Sequence, residues 1–220
     1  MKKSILFLSI ITLMSAFTFL KPKKVVFFGD SITQAGIGPN GYITKLQKMI
    51  EANGEKDSFE LIGAGIGGNK IYDLYLRHEA DVLAKNPDHV VIYVGVNDVW
   101  HKKTYGTGTD PDKFEKFYQA LIQKFLEKNI KVTLTTPACI GEKNDFSNDS
   151  DGDIIQYSKI IRALATKNNL NIVDLNTIFH EFSLKNNPEN KDKGILTTDR
   201  VHLNEAGNQL VAEEMYKAIK

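Results

Sequence analysis

Residues 24–34 read KVVFFGDSITQ, an apolar run that ends in Gly-Asp-Ser. A continuous apolar run closed by glycine is typical of a buried strand in a parallel sheet. The serine that follows, Ser31, has two interpretations. Taken alone it is best read as the cap of a following helix, but beside a suitable base the same hydroxyl becomes a nucleophile. The residues that share a site with Ser31 therefore decide its role.

Strand-like and helix-like segments alternate along the rest of the chain. Short apolar runs predict further strands, and apolar residues at helical spacing predict helices between them. Alternation of this kind predicts an α/β domain with a parallel sheet and helices on both faces. The predicted strands cover 24–29, 59–63, 89–95, 131–137 and 170–175, and the predicted helices cover about 41–53, 70–85, 114–125, 154–164 and 205–219.

Composition narrows the class of protein. The 220 residues carry a formal net charge of +1, whereas a nucleic-acid-binding domain normally carries a basic excess. Cys139 is the only cysteine, so neither an internal disulfide nor a multi-cysteine zinc site is possible. We expect an enzyme that needs no metal and no cofactor, and a small-molecule or glycan partner rather than a nucleic acid.

The first twenty residues differ from the rest. Lys2 and Lys3 precede a long apolar run, and further lysines follow it. This order predicts a secretory signal peptide over residues 1–20, and hence a secreted or periplasmic protein without stable membrane insertion after cleavage. The run is near the short limit for a membrane span, so an N-terminal membrane anchor is the alternative. The folded domain is predicted over residues 24–220.

Polar residues cluster where the predicted strands end. Ser31 follows the first strand, Gly68 the second and Asn97 the third, while Asp199 and His202 precede the last helix. Because the carboxyl ends of parallel strands meet at one edge of a sheet, we expect these residues to share one crevice.

The same residue types suit acyl transfer. A hydrolytic triad needs a nucleophile, a base and a group that orients the base. Asp199 lies three residues before His202, so its carboxylate can hold one ring nitrogen while the other faces Ser31. The developing oxyanion needs hydrogen-bond donors, and the backbone amides of Ser31 and Gly68 with the side-chain amide of Asn97 suit that need.

Four short blocks, taken together, resemble the SGNH, or GDSL-like, hydrolase family. They occur in the family's order and span nearly the whole predicted domain: FFGDSIT (27–33), GIGGN (65–69), GVND (95–98) and DRVH (199–202). Two departures are local. Gly63 stands where relatives often carry Asn before the second block, and Lys70 stands where Thr often follows it. The resemblance implies a flavodoxin-like three-layer α/β/α sandwich with a five-stranded parallel sheet.

The resemblance also implies residue roles. It makes Ser31 the nucleophile and makes Asp199 and His202 the other members of a catalytic triad. It places the oxyanion hole at the amide of Ser31, at Gly68 and at Asn97. Its activity is that of a serine esterase, with neither metal nor cofactor.

Four other functions have partial signals. Residues 63–68 fit G-x-G-x-x-G, but the acid expected about twenty residues further on is missing. Residues 147–153 have acidic spacing like a calcium loop but lack its bidentate glutamate. A metal phosphoesterase or a non-catalytic carbohydrate-binding module remains a weaker alternative. The phosphoesterase would have to ligate metal through Asp30, Asn97, Asp98 and His202. This set contains one histidine, whereas such sites usually have several.

Four side chains are candidates for substrate contact. Trp100, His101 and Tyr105 lie just past the third strand, where they can stack on a sugar ring or simply pack a loop. Asp30, next to the nucleophile, is either a substrate contact or a brace for the turn.

The predicted triad has two testable consequences. Ser31→Ala should abolish turnover, and acid should inhibit the enzyme because a protonated imidazole cannot act as a base.

The substrate is less well determined than the reaction. Two polar segments, 101–113 and 141–153, are predicted as loops at the strand ends, and neither resembles an apolar acyl groove. Short-chain, chiefly acetyl, esters on carbohydrates are therefore favoured. The alternative is a lysophospholipase, or a short-chain lipid esterase or thioesterase, of the same family.

Overall fold

The computed structural model describes residues 21–220, and the predicted signal peptide or anchor over residues 1–20 lies outside this part. Within residues 21–220, no helix is both long enough and apolar enough to cross a membrane. In chain order the elements are β1 (Lys23–Gly29), α1 (Ser31–Gly36), α2 (Tyr42–Ala52), β2 (Phe59–Gly65), α3 (Ile71–Asp81), β3 (His89–Tyr93), α4 (Val96–Tyr105), α5 (Pro111–Leu126), β4 (Lys131–Thr135), α6 (Asp151–Asn168), β5 (Asn171–Val173), α7 (Leu175–Asn186) and α8 (Glu205–Ile219).

The five strands form one sheet in the order β2-β1-β3-β4-β5, and every neighbouring pair is parallel. Helices cover both of its faces, as the side chains of β1 demonstrate. Successive strand residues point to opposite faces. The ring of Phe27 lies 5.8 Å from that of Tyr42 in α2, whereas the ring of Phe28 lies 6.3 Å from that of Phe125 in α5. The predicted three-layer sandwich with a parallel sheet is confirmed.

The centre of the sheet fixes where a site can form. In β1 and β3 the apolar residues 25–28 and 90–92 are fully buried, which accounts for their continuous apolar sequence. Strand β1 lies between β2 and β3, so the chain leaves it toward one edge of the sheet and then crosses to the other. In open parallel sheets this switch of direction leaves a crevice at the carboxyl ends of the strands. The segment that follows β1 begins with Asp30 and Ser31.

Two polar loops predicted from sequence are shorter than expected. Residues 101–105 belong to α4, which ends at Gly106 with a φ of +67°. Only the first turn of α4 is buried, so its later residues have the composition of a loop. The second segment also ends early, because α6 begins at Asp151. Helix α7 was not predicted. Its buried residues Leu175, Phe179 and Ser183 recur every four positions within a largely polar sequence.

Candidate active site

Ser31 is the first residue of α1, directly after β1. The cap of this helix is Asp30, whose Oδ1 accepts the backbone N–H of Ile32 at 3.0 Å. The capping role that the sequence allowed for Ser31 therefore belongs to its neighbour. This leaves the half-buried hydroxyl of Ser31 available for other contacts at the strand ends.

That hydroxyl contacts the histidine predicted to be its base. Ser31 Oγ lies 3.0 Å from His202 Nε2, and His202 Nδ1 lies 2.7 Å from Asp199 Oδ2. A carboxylate only accepts hydrogen bonds, so the ring proton belongs on Nδ1 and Nε2 is left to accept from the serine. Partial burial acts to raise the pKa of Asp199, but hydrogen bonds from the side chain and amide of His202 hold that pKa below its ordinary value.

A tight turn holds the acid and the base together. Asp199 Oδ1 accepts the backbone N–H groups of Val201 at 3.1 Å and His202 at 2.8 Å. Between Asp199 and Val201, Arg200 has a φ of +86°, in the left-handed region that non-glycine residues rarely adopt. The carbonyl of Arg200 accepts the N–H of Gly141 at 2.9 Å, so the segment after β4 supports this turn. Strained backbone held in this way is typical of functional sites.

Glu142 supports the same turn, and the sequence did not single it out. This side chain is 3% exposed. Its Oε2 accepts the N–H of Ile195 at 2.8 Å, and its Oε1 accepts those of Leu196 at 2.5 Å and Thr197 at 2.7 Å. One carboxylate thus holds three consecutive amides just before Asp199. The only sequence signal was an acidic residue in a segment expected to be solvated.

The loop after β2 lies against the nucleophile. The N–H of Gly67 donates to Gln34 Oε1 at 2.8 Å, and a Cβ added at Gly67 would lie 3.9 Å from the Cβ of Ser31. At Gly65 a Cβ would lie 2.1 Å from the Gln34 amide nitrogen, so only glycine lets α1 approach β2 this closely. Gly68 has a φ of +76°, which glycine adopts without strain.

Asn97 meets this loop from the first turn of α4. The side chain is 2% exposed, and its Nδ2 donates to the Asn69 carbonyl at 3.1 Å. Arg77, which the sequence did not single out, holds the same loop from α3. Its Nε donates to Asn69 Oδ1 at 2.7 Å, and its Nη2 donates to the Gly29 carbonyl at 2.6 Å. The structure thus brings the second and third blocks together beside the end of β1.

Two buried carboxyl groups lie below the crevice. Asp30 is 1% exposed and Asp98 is 0% exposed. Burial raises the pKa of Asp30 to about 7, against the opposing effect of the Ile32 N–H. Burial likewise raises the pKa of Asp98 to about 7. A side chain as buried as Asp30 is poorly placed to contact substrate, and its hydrogen bond to Ile32 favours the role of a brace.

The predicted aromatic contacts form a row along α4 that begins next to the base. The ring of Trp100 lies 6.4 Å from that of His202 and 5.9 Å from that of His101. The ring of His101 lies 5.0 Å from that of Tyr105, which is 71% exposed. The row therefore leads from the candidate catalytic residues into solvent. Within residues 21–220, no group of three or more His, Cys, Asp or Glu side chains is placed to hold a metal ion.

A serine, a histidine and an aspartate in successive hydrogen-bond contact at the end of a parallel sheet define the arrangement of a serine hydrolase. Comparison with known families agrees with this class. The model of the GDSL-like Lipase/Acylhydrolase family matches residues 27–210, and the chain belongs to that family. The predictions of an SGNH, or GDSL-like, hydrolase and of a carboxylic ester hydrolase are confirmed.

Similar proteins include several esterases. The crystal structure of the acetyl xylan esterase AlAXEase is 65% identical, with a TM-score of 0.89 over 90% of this chain and 100% of that chain. The acetylxylan esterase of Geobacillus stearothermophilus is 27% identical over 90% of this chain and 94% of its own length. The isoamyl acetate-hydrolyzing esterase of Schizosaccharomyces pombe is 22% identical over 89% of this chain and 74% of its own length.

Solved structures of the Geobacillus stearothermophilus enzyme, Axe2, include three catalytic mutants. In these a serine, an aspartate or a histidine three positions after that aspartate is replaced by alanine. They match this chain at 25–26% identity with TM-scores of 0.78–0.79, over 91% of this chain and 96% of theirs.

Proposed function

We propose that this protein removes acetyl groups from acetylated xylan or xylo-oligosaccharides, with Ser31 as the nucleophile. The observation that carries this proposal is the pair of contacts from Ser31 Oγ to His202 Nε2 and from His202 Nδ1 to Asp199. The catalytic serine, aspartate and histidine of Axe2, with the same three-residue spacing between acid and base, support the same roles in this chain.

The geometry gives each residue one part in the reaction. Ser31 Oγ attacks the ester carbonyl while its proton passes to His202 Nε2. Asp199, a carboxylate at neutral pH because its pKa is low, stabilises the imidazolium and keeps Nε2 facing the serine. The imidazolium then protonates the leaving sugar hydroxyl. In the second half, His202 takes a proton from water, which attacks the acetyl-serine and releases acetate.

The oxyanion of each tetrahedral intermediate needs donors beside Ser31. We assign them to the backbone amides of Ser31 and Gly68 and to the side-chain amide of Asn97. The contact of the loop after β2 with Ser31 supports this assignment. Asn97 also supports it, because its NH₂ group has two hydrogens and one donates to the Asn69 carbonyl. The second hydrogen remains for the oxyanion.

The surroundings of the site suit a sugar better than a long acyl chain. An open depression of about 460 Å³ is lined in part by Leu203, the residue after His202 in the chain. Several of its other lining residues are amides or hydroxyls: Asn40, Thr198, Asn204 and Asn208. The exposed ring of Tyr105 continues the aromatic row that begins at Trp100. The names of the two acetylxylan esterases support xylan as the acetylated polymer.

Export fits a polymeric substrate, and we propose that residues 1–20 direct it. The basic and then apolar order of this segment supports a signal peptide. Mass spectrometry of the protein recovered from culture medium or periplasm tests this. A chain that begins after residue 16 or later supports cleavage, and full-length protein in the membrane fraction supports the anchor instead.

Two assays test the substrate. The first measures acetate release from acetylated xylo-oligosaccharides by the native protein and by Ser31→Ala. The second measures kcat/KM on p-nitrophenyl esters of increasing chain length. We expect release that requires Ser31 and a preference for acetyl over longer chains. A preference for chains of eight carbons or more would favour the lysophospholipase alternative.

A further inference from the structure

Lys70 occupies a place that is unfavourable for a cation. It is 7% exposed, although lysine is rarely buried unless it is paired. It stands at the N-cap of α3, and the positive end of a helix dipole disfavours a second positive charge. Folding therefore gains little from a lysine at this position.

The charges around Lys70 do not form an ion pair with it. Within residues 21–220, no carboxylate oxygen lies within 4.0 Å of its ammonium. Asp73 accepts the backbone N–H of Lys70 at 2.9 Å, and Asp98 accepts that of Ile71 at 3.2 Å. The Tyr72 ring, 5.7 Å from the ammonium, gives only a partial cation–π compensation.

The ammonium of Lys70 faces the loop after β2, which contains Gly68. Lys70 Nζ donates to the carbonyl of Gly68 at 3.3 Å. Gly68 also carries the N–H assigned to the oxyanion, so standard backbone dimensions put the ammonium at most about 7 Å from that amide nitrogen. The charge also acts on His101. Burial lowers the pKa of that imidazole, and the nearby Lys70 lowers it further.

We propose that Lys70 assists ester hydrolysis electrostatically, by holding the Gly68 carbonyl in place and setting a positive charge near the oxyanion. This inference rests on the proposed function. Attack by Ser31 Oγ forms a C–O bond, and the carbonyl π electrons move to the oxygen. Negative charge thus appears on the oxyanion in the transition state, and a nearby cation favours that state over the neutral substrate.

The size of the effect follows from the distance. The oxyanion would lie about 3 Å from the Gly68 amide nitrogen, and therefore about 7–10 Å from the ammonium. Unit charges at that separation in a protein environment interact strongly enough to change a rate roughly tenfold to a hundredfold. Loss of a direct oxyanion donor costs about a hundredfold or more, so Lys70 should contribute somewhat less than Gly68 or Asn97 does.

The test replaces the charge and keeps the side-chain length. Lys70→Met should lower kcat/KM for p-nitrophenyl acetate about tenfold to a hundredfold, with KM changed less than about twofold. Its melting temperature should stay level or rise, because a buried charge has been removed. Lys70→Arg, which keeps the charge, should recover part of the rate. Lys24→Met is the matched control, since Lys24 Nζ also donates to a backbone carbonyl, that of Lys85, at the opposite end of β1.

Inhibition by phenylboronic acid provides a readout that a packing defect would not move. The serine oxygen adds to the trigonal boron, its proton passes to His202, and the adduct is a tetrahedral anion that resembles the intermediate. The inhibition constant should rise in Lys70→Met by about the factor by which kcat/KM falls. An unchanged inhibition constant, a native rate, or Lys70→Arg no better than Lys70→Met would each overturn the inference. Ser31→Ala keeps the two proposals distinct: if it retains activity the proposed function fails, and if it is inactive while Lys70→Met is native-like only the Lys70 inference fails.

Discussion

Replacement of Glu142 by alanine should weaken both the fold and the catalytic turn. The carboxylate holds the amides of Ile195, Leu196 and Thr197, and the last two residues are fully buried. Leaving a buried amide without an acceptor costs about 1–3 kcal/mol. With two such amides and a third partly buried one, we expect a loss of about 4 kcal/mol in the free energy of unfolding. For a domain of this size that loss lowers the melting temperature by roughly 10 °C.

The kinetic effect should fall on kcat. The three amides immediately precede the turn that carries Asp199 and His202, and a displaced base loses rate rather than ground-state binding. We expect kcat for p-nitrophenyl acetate to fall at least tenfold with KM nearly unchanged. Glu142→Gln should be milder, because its Oε1 can still accept from Leu196 and Thr197. Thermal unfolding and steady-state kinetics measure both effects.

Glu79→Ala is the control, since Glu79 is an exposed glutamate on α3. It should change neither the melting temperature nor kcat. If Glu142→Ala melts within about 2 °C of the native protein and keeps its kcat, then the three hydrogen bonds do not position the turn. Other contacts would then have to hold Asp199 and His202 in place.

Three further substitutions test other parts of the site. At Gly68 there is room for an alanine Cβ, which would lie 3.6 Å from His101 Cε1, but the φ of +76° costs alanine about 1 kcal/mol. In Gly68→Ala we therefore expect kcat to fall at least tenfold, with only a small loss of stability. Asp98→Asn tests burial of the carboxyl group, whose pKa of about 7 lies above the ordinary 3.8. The native state holds this proton between pH 4 and 7 while the unfolded state releases it, so Asp98 weakens the fold as pH rises through that window. The stability gained by Asp98→Asn, measured by urea unfolding, should be larger at pH 8 than at pH 4.5 by about 3 kcal/mol, and a gain independent of pH would contradict the shift. Trp100→Ala should raise KM for acetylated xylo-oligosaccharides severalfold and leave KM for p-nitrophenyl acetate unchanged; equal changes for both would remove Trp100 from sugar binding.

The parts of the fold that the sequence predicts best are those with a strong local pattern. The predicted strands over 24–29 and 89–95 contain continuous apolar runs, and the burial of β1 and β3 at the centre of the sheet follows from that composition. Strand β3 ends at Tyr93, two residues earlier than predicted. Helices α4 and α7 are half-exposed, so polar residues dilute the pattern. The burial of a residue in these helices depends on the elements that pack against it, and these cannot be inferred from the local spacing of apolar residues.

In the candidate site, too, some residues could be predicted from the sequence and others could not. Ser31, Gly68 and Asn97 stand in recognisable blocks that follow β1, β2 and β3, and parallel topology brings these three blocks together. Asp199 and His202 also stand in a recognisable block, but it precedes α8, and contacts from Gly141 and Glu142 support its turn. The supporting contacts are less visible because each joins residues far apart in sequence.

Glu142 and Arg77 are the clearest cases of such support. Glu142 reaches amides more than fifty residues away, and Arg77 reaches back to Gly29. Neither lies in a motif, so only the folded chain reveals what these two side chains hold.

In the proposed mechanism, Ser31 carries the acetyl group during turnover. Rapid acid quench of the native protein with p-nitrophenyl acetate, followed by peptide mass spectrometry, tests it most directly. We expect one added acetyl group on the peptide that contains Ser31, and none in Ser31→Ala. An acetyl group on another residue during turnover, or acetate release by Ser31→Ala at the native rate, would contradict it.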